Sequence, residues 1–327
     1  MHILFEDPHI LVLHKPAHMV THPAPGNSSN TLVNSALAVA ELAPSIGSDN
    51  SSANPSNPAA DYHSSSSSTN SVDTADVSRP DVTRPGIVHR LDKGTSGVIV
   101  LAKSEIALSS LAAQFKEHSV RRWYIAISCG RLRQTERGFV EQPIMRDPRD
   151  RTRMTALDVS PSTMYKDEGL ELAALDDSQL PQGARSAISW YTPLAWLQRQ
   201  PAERRNDSGS AAGAGVTLMR WQLGTGRTHQ VRVHAKHLGH PLLGDVEYGG
   251  ARKRAVNDVR ACGLQKRRAE ALLERLGRPA LHASLLEFAH PVTQRRMRFK
   301  QQPPEDFMEV LERLGAGENE LEAARDE

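Results

Sequence analysis

The sequence predicts a fold that contains both β-strands and α-helices, and three kinds of segment support this prediction. Short apolar runs bounded by turn residues, such as Ile10–Leu13 and Val98–Leu101, are typical of buried strands. The segment Glu105–His118 has apolar residues four positions apart, as expected for one face of a helix. Ala187–Leu197 and Val216–Leu223 resemble two strands joined by a long loop. A chain of 327 residues can form one large domain or two smaller ones.

The N-terminal elements are expected to be two short strands between Ile3 and Val20, joined by the turn at Glu6-Asp7-Pro8. A loop follows at residues 22–27, because its two prolines and its Gly-Asn pair cannot continue a sheet. Helical spacing of apolar residues then predicts a helix over Thr31–Leu42, with Asn30 or Thr31 as its N-cap.

Three segments have the composition of insertions in loops. Residues 45–80 contain twelve serines, and Asn, Asp and Pro make up most of the rest. Such a segment buries too little apolar surface to offset its ordering entropy, so we expect a disordered insertion over about residues 44–82. Shorter loop insertions are expected at about 158–184 and 199–215.

Two later segments alternate between polar and apolar residues, which is typical of strands with one buried face. In Val120–Ile127 the alternation places Arg122 and Tyr124 together, opposite the apolar face. In Gln230–His234 it predicts a second strand backed by valines. The polar residues on the open face of this second strand would be Gln230, Arg232 and His234.

The C-terminal region is expected to complete the sheet. A helix is predicted near Ala269–Leu276, followed by closing strands at Leu281–His290 and Arg296–Lys300. A short helix over Glu305–Leu314 then leads into a frayed acidic tail.

Composition excludes several classes of protein. Cys129 and Cys262 have no metal-ligand spacing and form no disulfide framework, which favours a reducing compartment. The N-terminus lacks the basic start and apolar core of a signal peptide, and no apolar run is long enough to span a membrane. We therefore expect a cytoplasmic protein without membrane contact.

The net charge of +2 conceals a strong segregation of charge along the chain. Residues 220–304 carry 17 basic and 6 acidic side chains, whereas residues 305–327 carry 2 and 9. The basic segment includes the run of three basic residues Arg252-Lys253-Arg254. A local excess of this size predicts a polyanionic partner, most commonly nucleic acid, although a solvated basic face is the alternative.

The stretch around Asp92 is the best candidate for chemistry. Asp92 lies in a glycine-containing turn directly before the apolar run Val98–Leu101, so a strand would fix it and the turn would expose it. The alternative is that Asp92 only caps the turn. Placed near Arg232, its carboxylate would stay ionised and oriented, as suits a nucleophile or base in a cationic pocket.

Other catalytic arrangements fit the residues less well. On the predicted strand, His229 and His234 point to opposite faces, which disfavours a metal site that includes His237 and His240. Residues 94–97, Gly-Thr-Ser-Gly, do not have the spacing of a serine hydrolase nucleophile. Gly224-Thr225-Gly226 lacks the further residues of a phosphate-binding loop.

Two motifs and several shorter matches resemble the RluA-type pseudouridine synthases. The two motifs are His89-Arg90-Leu91-Asp92 with Thr95-Ser96-Gly97, and Gly226-Arg227-Thr228-His229-Gln230-Val231-Arg232-Val233-His234. The shorter matches are Ile3–Asp7 with Lys15-Pro16, His240–Asp245 with Tyr248, Leu281-His282-Ala283, and His290-Pro291. The resemblance covers residues 1–308 apart from the insertions, which implies one catalytic domain followed by an acidic tail at 309–327.

The resemblance implies a fold, an activity and a set of catalytic residues. The fold would be α+β, with a mixed, mostly antiparallel bent sheet, flanking helices and a central active-site cleft. The activity would be isomerisation of uridine to pseudouridine in folded RNA, without cofactor or metal. Asp92 matches the essential aspartate that acts on the ribose, and Arg232 matches its paired arginine. Tyr124 matches the tyrosine that packs on uracil and is a candidate for removing the carbon-five proton.

The resemblance also implies how RNA is held. Arg90 matches the arginine that enters the RNA stack when the target nucleotide flips out. The other residues expected to contact RNA are His89, Arg227, His229, Gln230, His234, Arg252, Lys253 and Arg254.

The subgroup resembled most is the large-subunit ribosomal RNA enzymes of the RluD kind, although their usual small N-terminal RNA-binding domain is expected to be missing. Ribosomal RNA is therefore the expected substrate of a monomeric enzyme, and transfer RNA is the alternative. A non-catalytic RNA-binding or ribosome-assembly protein and a metal-dependent nuclease are hypotheses from other classes.

Overall fold

The computed structural model describes residues 2–23, 29–43, 85–133, 137–158, 177–197, 213–249 and 252–326. The insertion expected over about 44–82 lies outside these residues, as do residues 159–176 and 199–212 of the two expected loop insertions. The structural description below therefore concerns the segments that surround the insertions.

Nine of the described strands form one mixed sheet, namely β1 (His2–Glu6), β2 (Ile10–Lys15), β3 (Ser96–Ala102), β4 (Arg121–Cys129), β5 (Gly138–Val140), β8 (Ser189–Leu197), β9 (Val216–Leu223), β10 (Leu281–Ala289) and β11 (Arg296–Lys300). Their order in the sheet is β1-β2-β3-β10-β4-β9-β8-β5, with β11 paired to the end of β10. A separate ribbon consists of β6 (Ile144–Arg146) and β7 (Met154–Ala156).

The pairing confirms the mixed, mostly antiparallel sheet. β3 and β10 run parallel, with Ser96 opposite His282, and the other paired strands of the sheet run antiparallel. The hairpin expected from Ala187–Leu197 and Val216–Leu223 is also confirmed, as β8 and β9.

Helices cover both faces of this sheet, which confirms the α+β fold. They are α1 (Leu32–Leu37), α2 (Glu105–Lys116), α3 (Gln230–His237), α4 (Arg252–Ala261), α5 (Lys266–Leu276), α6 (Glu305–Arg313) and α7 (Glu318–Asp326). Alternation along β4 divides the core: Ile125 and Ile127 share a buried cluster with α4, α5 and α6, whereas Tyr124 and Ala126 share one with α1 and α3. The candidate site lies on the second of these faces.

The prediction of a strand over Gln230–His234 is wrong, because these residues begin helix α3. The Gln230 side chain fixes the start of the helix: its amide oxygen accepts hydrogen bonds from the Thr225 hydroxyl (2.8 Å) and the Arg227 backbone (2.9 Å). His229 precedes the helix in the left-handed conformation, with φ of 59°. Polar and apolar residues of this segment are all buried, so the open face that the alternation predicted does not exist.

The prediction of a frayed acidic tail is also wrong, because this segment forms a further helix. The boundary expected at residue 308 falls within α6, where Phe307 and Leu311 are fully buried. Helix α7 follows, and its Ala324 belongs to the same core cluster. One apolar side chain every few residues is enough to hold this acidic segment against the sheet.

Candidate active site

The turn that carries Asp92 is held on both sides. The backbone of Thr95 donates a hydrogen bond to the carbonyl of Asp92 (3.0 Å), and β3 begins at Ser96. On the other side, the Thr21 hydroxyl donates to the carbonyl of Leu91 (2.7 Å) and accepts from its backbone N–H (3.2 Å). The carboxylate of Asp92 is thereby fixed at the end of a fully buried strand while it remains partly exposed.

Asp92 faces a cavity of about 390 Å³. Most of the residues expected at the site line this cavity, namely His89, Arg90, Asp92, Tyr124, Arg227, His229, Gln230 and Arg232. They come from the Asp92 turn, from β4, from the loop that leads into α3 and from the first turn of α3. The structure thus brings together residues that lie more than 100 positions apart in the chain.

Arg232 is oriented by carboxylates that the sequence analysis did not assign to the site. Its Nε and Nη2 atoms donate to Asp245 at 2.7 and 2.9 Å, and Nη2 also donates to Glu247 at 2.5 Å. Its remaining nitrogen, Nη1, lies 3.8 Å from Asp92 Oδ2. Burial alone would lower the pKa of Arg232, but the hydrogen bonds and charge of Asp245 raise it. Arg232 is therefore a fixed cation beside Asp92.

His229 lies beside the other oxygen of Asp92, with Nε2 3.9 Å from Oδ1. Its Nδ1 atom is 2.8 Å from the hydroxyl of Tyr248, which accepts a hydrogen bond from the backbone of Met154 (2.8 Å). The Tyr248 hydroxyl thus links the His229 ring to the backbone of Met154 and orients the ring so that Nε2 faces Asp92. Burial lowers the pKa of His229, so the ring is neutral at neutral pH.

Tyr124 forms part of the cavity wall from the middle of β4. Burial raises the pKa of Tyr124 to about 12, so its hydroxyl is protonated at neutral pH. The ring is therefore a neutral aromatic surface with one hydroxyl, and a proton acceptor at this position would have to pass on its own proton as it accepts another.

Arg90 and His89 differ in their availability to a ligand. Arg90 is exposed at the cavity rim. The His89 ring stacks on Phe115 at 4.5 Å, and its Nε2 accepts a hydrogen bond from the backbone of Val100 (3.1 Å). Burial lowers the pKa of His89 to about 3. His89 is thus a neutral side chain that braces the Asp92 turn, whereas the Arg90 side chain is accessible from solvent.

Four of the expected RNA contacts lie outside the cavity lining. His234 is fully buried and bonds Ser189 Oγ (2.9 Å) and the carbonyl of Gln142 (3.0 Å), so it has no surface to offer RNA. The other three, Arg252, Lys253 and Arg254, are exposed at the start of α4.

The sequence analysis also missed the surroundings of Lys15. This lysine is fully buried, and its Nζ donates to the carbonyls of Pro16 (2.9 Å) and Met19 (2.8 Å). Burial lowers the pKa of Lys15 to about 7, although the charge of Asp92 opposes the shift. The sequence signals were a lysine at the end of a largely apolar strand and the Lys15-Pro16 match, neither of which indicates contact with Asp92.

In the part of the chain that the structure describes, no group of three or more His, Cys, Asp or Glu side chains could hold a metal ion. Within the same residues, the structure contains no helix with the length and apolar composition required to cross a bilayer.

Comparison with known proteins gives consistent similarities. Residues 9–237 match the family model described as RNA pseudouridylate synthase. The chain is 39% identical to "RNA pseudouridine synthase 2, chloroplastic" of Oryza sativa subsp. japonica, over 95% of this chain and 64% of that protein. It is 33% identical to "Ribosomal large subunit pseudouridine synthase D" of Zymomonas mobilis, over 96% of this chain and 73% of that protein. The chain therefore spans just under two thirds of the length of the rice protein.

A solved structure has a similar fold. The protein named "Human RNA Pseudouridylate Synthase Domain Containing 4" aligns with 96% of this chain and 92% of its own, with a TM-score of 0.54 and 20% sequence identity. At this level of identity the similarity concerns the arrangement of strands and helices.

Proposed function

Because the chain belongs to the RNA pseudouridylate synthase family, we propose that it is an isomerase that converts uridine to pseudouridine in RNA. The observation that carries this proposal is the environment of Asp92. One carboxylate faces the cavity with Arg232 on one oxygen and His229 on the other, and Tyr124 contributes an aromatic wall. This arrangement suits a reaction at a ribose carbon beside an aromatic base.

The reaction requires no atoms other than those of the substrate. The bond between ribose C1′ and uracil N1 breaks, the uracil turns, and a bond forms between C1′ and uracil C5. The hydrogen on C5 leaves, and a hydrogen is bound at N1 in the product. Asp92 would act on the ribose while the uracil is detached, and the fixed charge of Arg232 would hold the carboxylate in place.

Tyr124 would hold the detached uracil against its ring. An aromatic surface stabilises a base by stacking and allows it to turn in its own plane. Since its hydroxyl is protonated at neutral pH, Tyr124 would take part in removal of the C5 proton only as a relay.

Arg90 would fill the position in the RNA stack that the flipped uridine leaves. Extrusion of a nucleotide costs a few kcal/mol, which new contacts must offset. An exposed guanidinium at the cavity rim has both the charge and the planar shape for such a contact.

For the substrate we propose large-subunit ribosomal RNA. The names of the bacterial relatives support this choice, as does the basic surface of α4. We also propose that the protein is cytoplasmic, which cell fractionation tests. We further propose that it is a monomer, which light scattering of the purified protein tests.

The deciding experiment compares the wild type with Asp92→Asn on transcripts of large-subunit ribosomal RNA and on transfer RNA. We expect wild type to form pseudouridine, detected by mass spectrometry, and the variant to bind the same RNA without forming product. Asp158→Asn is the matched control, because Asp158 is an exposed aspartate away from the cavity lining. Product formed by Asp92→Asn would refute the role of Asp92, and binding without product by wild type would favour a non-catalytic RNA-binding protein.

A further inference from the structure

Arg122 is a buried arginine in the wall of the cavity that the reaction proposed above does not use. It lies on β4, two residues before Tyr124, and its exposed fraction is 7%. No atom among the described residues accepts a hydrogen bond from its Nε, and no described carboxylate forms an ion pair with it.

The two other buried arginines of the described chain have carboxylate partners. Asp245 binds Arg232 through two oxygens, and Asp306 binds Arg278 in the same way at 2.6 and 2.8 Å. A buried charge without a partner is strongly unfavourable, so the absence of a carboxylate at Arg122 demands a reason.

The surroundings of Arg122 are shaped around a guanidinium group without neutralising it. Its Cζ atom lies 5.5 Å from the centre of the Phe115 ring. Gly226 packs so closely that a Cβ atom at that position would collide with Arg122 Nη1. Burial lowers the pKa of Arg122, and the positive charge of Arg227 lowers it further. Two cations thus share one wall of the cavity.

Arg227 is held in place, yet it is only weakly neutralised. Its Nε donates to the carbonyl of Ser186 (2.8 Å), and its Nη2 lies 3.9 Å from Asp177. Asp177 also interacts with Arg185, at 3.7 Å. The positive charge at this wall therefore exceeds the negative charge, as in a site prepared for an anion.

We propose that Arg122, together with Arg227, binds a phosphodiester group of the nucleotide that carries the target uridine. The inference rests on the proposed function, since RNA is the ligand. A guanidinium group matches the two free oxygens of a phosphodiester with parallel hydrogen bonds. Arg122 and Tyr124 lie on the same face of β4, roughly 6.6 Å apart along the strand. A uracil on Tyr124 would thereby bring its own backbone phosphate to Arg122.

Variants of Arg122 test the contribution of the side chain. We expect Arg122→Gln to lower kcat/KM for pseudouridine formation by about 10- to 100-fold, the range for loss of a hydrogen bond to a charged group. Arg122→Lys keeps the positive charge but lacks the paired N–H donors of a guanidinium group, so its kcat/KM should fall by a smaller factor. The matched control is Arg121→Gln, because Arg121 is an exposed neighbour on the opposite face of β4, and it should change kcat/KM less than twofold.

Substitution in the RNA identifies the group that Arg122 binds. Two substrates would carry an uncharged methylphosphonate, one on the 5′ side and one on the 3′ side of the uridine that wild type modifies. We expect one of them to lower kcat/KM of wild type by the factor seen for Arg122→Gln, and the same RNA to have no further effect on that variant.

Other outcomes overturn the proposal. Full wild-type activity on both methylphosphonate RNAs would show that Arg122 does not bind a phosphate. The same conclusion would follow if a methylphosphonate RNA lowered kcat/KM of wild type and of Arg122→Gln by the same factor. Equal factors are the result expected if Arg122 instead contacts the uracil carbonyls. If Arg122→Gln fails to fold, the test uses Arg122→Lys in its place, together with the comparison of wild type on methylphosphonate and unmodified RNA. Wild type that forms no pseudouridine would refute the proposed function itself, which is a separate result from loss of the phosphate contact.

Discussion

The buried partner of Arg232 should contribute far more than its exposed partner. Asp245 and Glu247 both bind the Arg232 guanidinium, but the Asp245 side chain is fully buried, whereas that of Glu247 is 42% exposed. Asp245 Oδ1 also accepts hydrogen bonds from the backbone N–H groups of Glu247 (3.1 Å) and Tyr248 (3.0 Å). Asp245→Asn therefore perturbs both the arginine and the loop that holds it.

The expected magnitudes follow from burial. Removal of one member of a buried ion pair typically lowers the free energy of unfolding by about 3–5 kcal/mol, because the remaining charge is left without a partner. An exposed pair contributes up to about 1 kcal/mol. We therefore expect a loss of about 3–5 kcal/mol for Asp245→Asn and less than about 1 kcal/mol for Glu247→Gln. Misplacement of Arg232 beside Asp92 should also reduce the catalytic rate of Asp245→Asn by about 100-fold.

Urea unfolding and single-turnover pseudouridine formation measure the two effects. Glu247→Gln is the matched control, since it removes a charge from the same guanidinium without opening a buried site. Equal losses of stability in the two variants would refute the assignment of Asp245 as the main support of Arg232. An Asp245→Asn variant that is destabilised but fully active would show that Arg232 does not need this orientation.

Three further predictions concern other parts of the site and sheet. Lys15 keeps its proton in the unfolded chain up to about pH 10.5 but loses it near pH 7 in the folded chain, so the free energy of unfolding should rise between these values. In Lys15→Met, measured by urea unfolding over the same pH range, this rise should be absent. If the free energy of unfolding of the variant rises with pH as steeply as that of wild type, Lys15 is not its cause. Gly97→Ala should lower the free energy of unfolding by at least about 3 kcal/mol, because φ is 130° and the new Cβ would collide with the backbone of β10. Gly183→Ala is the control: φ is also positive but no atom lies nearby, so the loss in the free energy of unfolding should be only about 1–2 kcal/mol. Tyr124→Phe should bind RNA as wild type does but lower the single-turnover rate by about 10²- to 10⁴-fold; a normal rate would exclude the hydroxyl from proton transfer.

Local patterns were sufficient to predict most of the sheet. The apolar runs at Ile10–Leu13 and Val98–Leu101 became adjacent buried strands, and the alternation in Val120–Ile127 placed Arg122 and Tyr124 on the cavity side of β4. Strand periodicity is a property of neighbouring residues, so it can be read without knowledge of the fold.

The error at Gln230–His234 has a physical cause. Five alternating residues fit a strand, but they also fit one turn of a helix whose polar side chains have buried partners. Gln230 and His234 both reach β8, through Ser189 Oγ at 2.9 Å in each case. Their polarity therefore reflects contacts with a distant strand, which no local pattern contains.

The same limit applies to the groups around Asp92. Tyr248 reaches the site through His229, and Asp245 reaches it through Arg232. Both residues belong to the shorter motifs of the resemblance, but their spacing from Asp92 in the chain gives no indication of an indirect role. Only the distances between side chains separate residues that face the substrate from those that position them.

The place of β10 in the sheet has a consequence for biosynthesis. Strands β1–β3 carry the Asp92 turn, whereas β4, β9 and α3 carry Tyr124 and Arg232, and among the described strands only β10 joins these two halves by backbone hydrogen bonds. A nascent chain that has not yet exposed residues 281–289 therefore carries Asp92 and Arg232 on two parts of the fold whose strands are not joined by backbone hydrogen bonds. Such late, long-range pairing is slow to form. We expect that fragments ending before residue 281 lack the proposed pseudouridine-forming activity, because nothing would hold Asp92 beside Arg232.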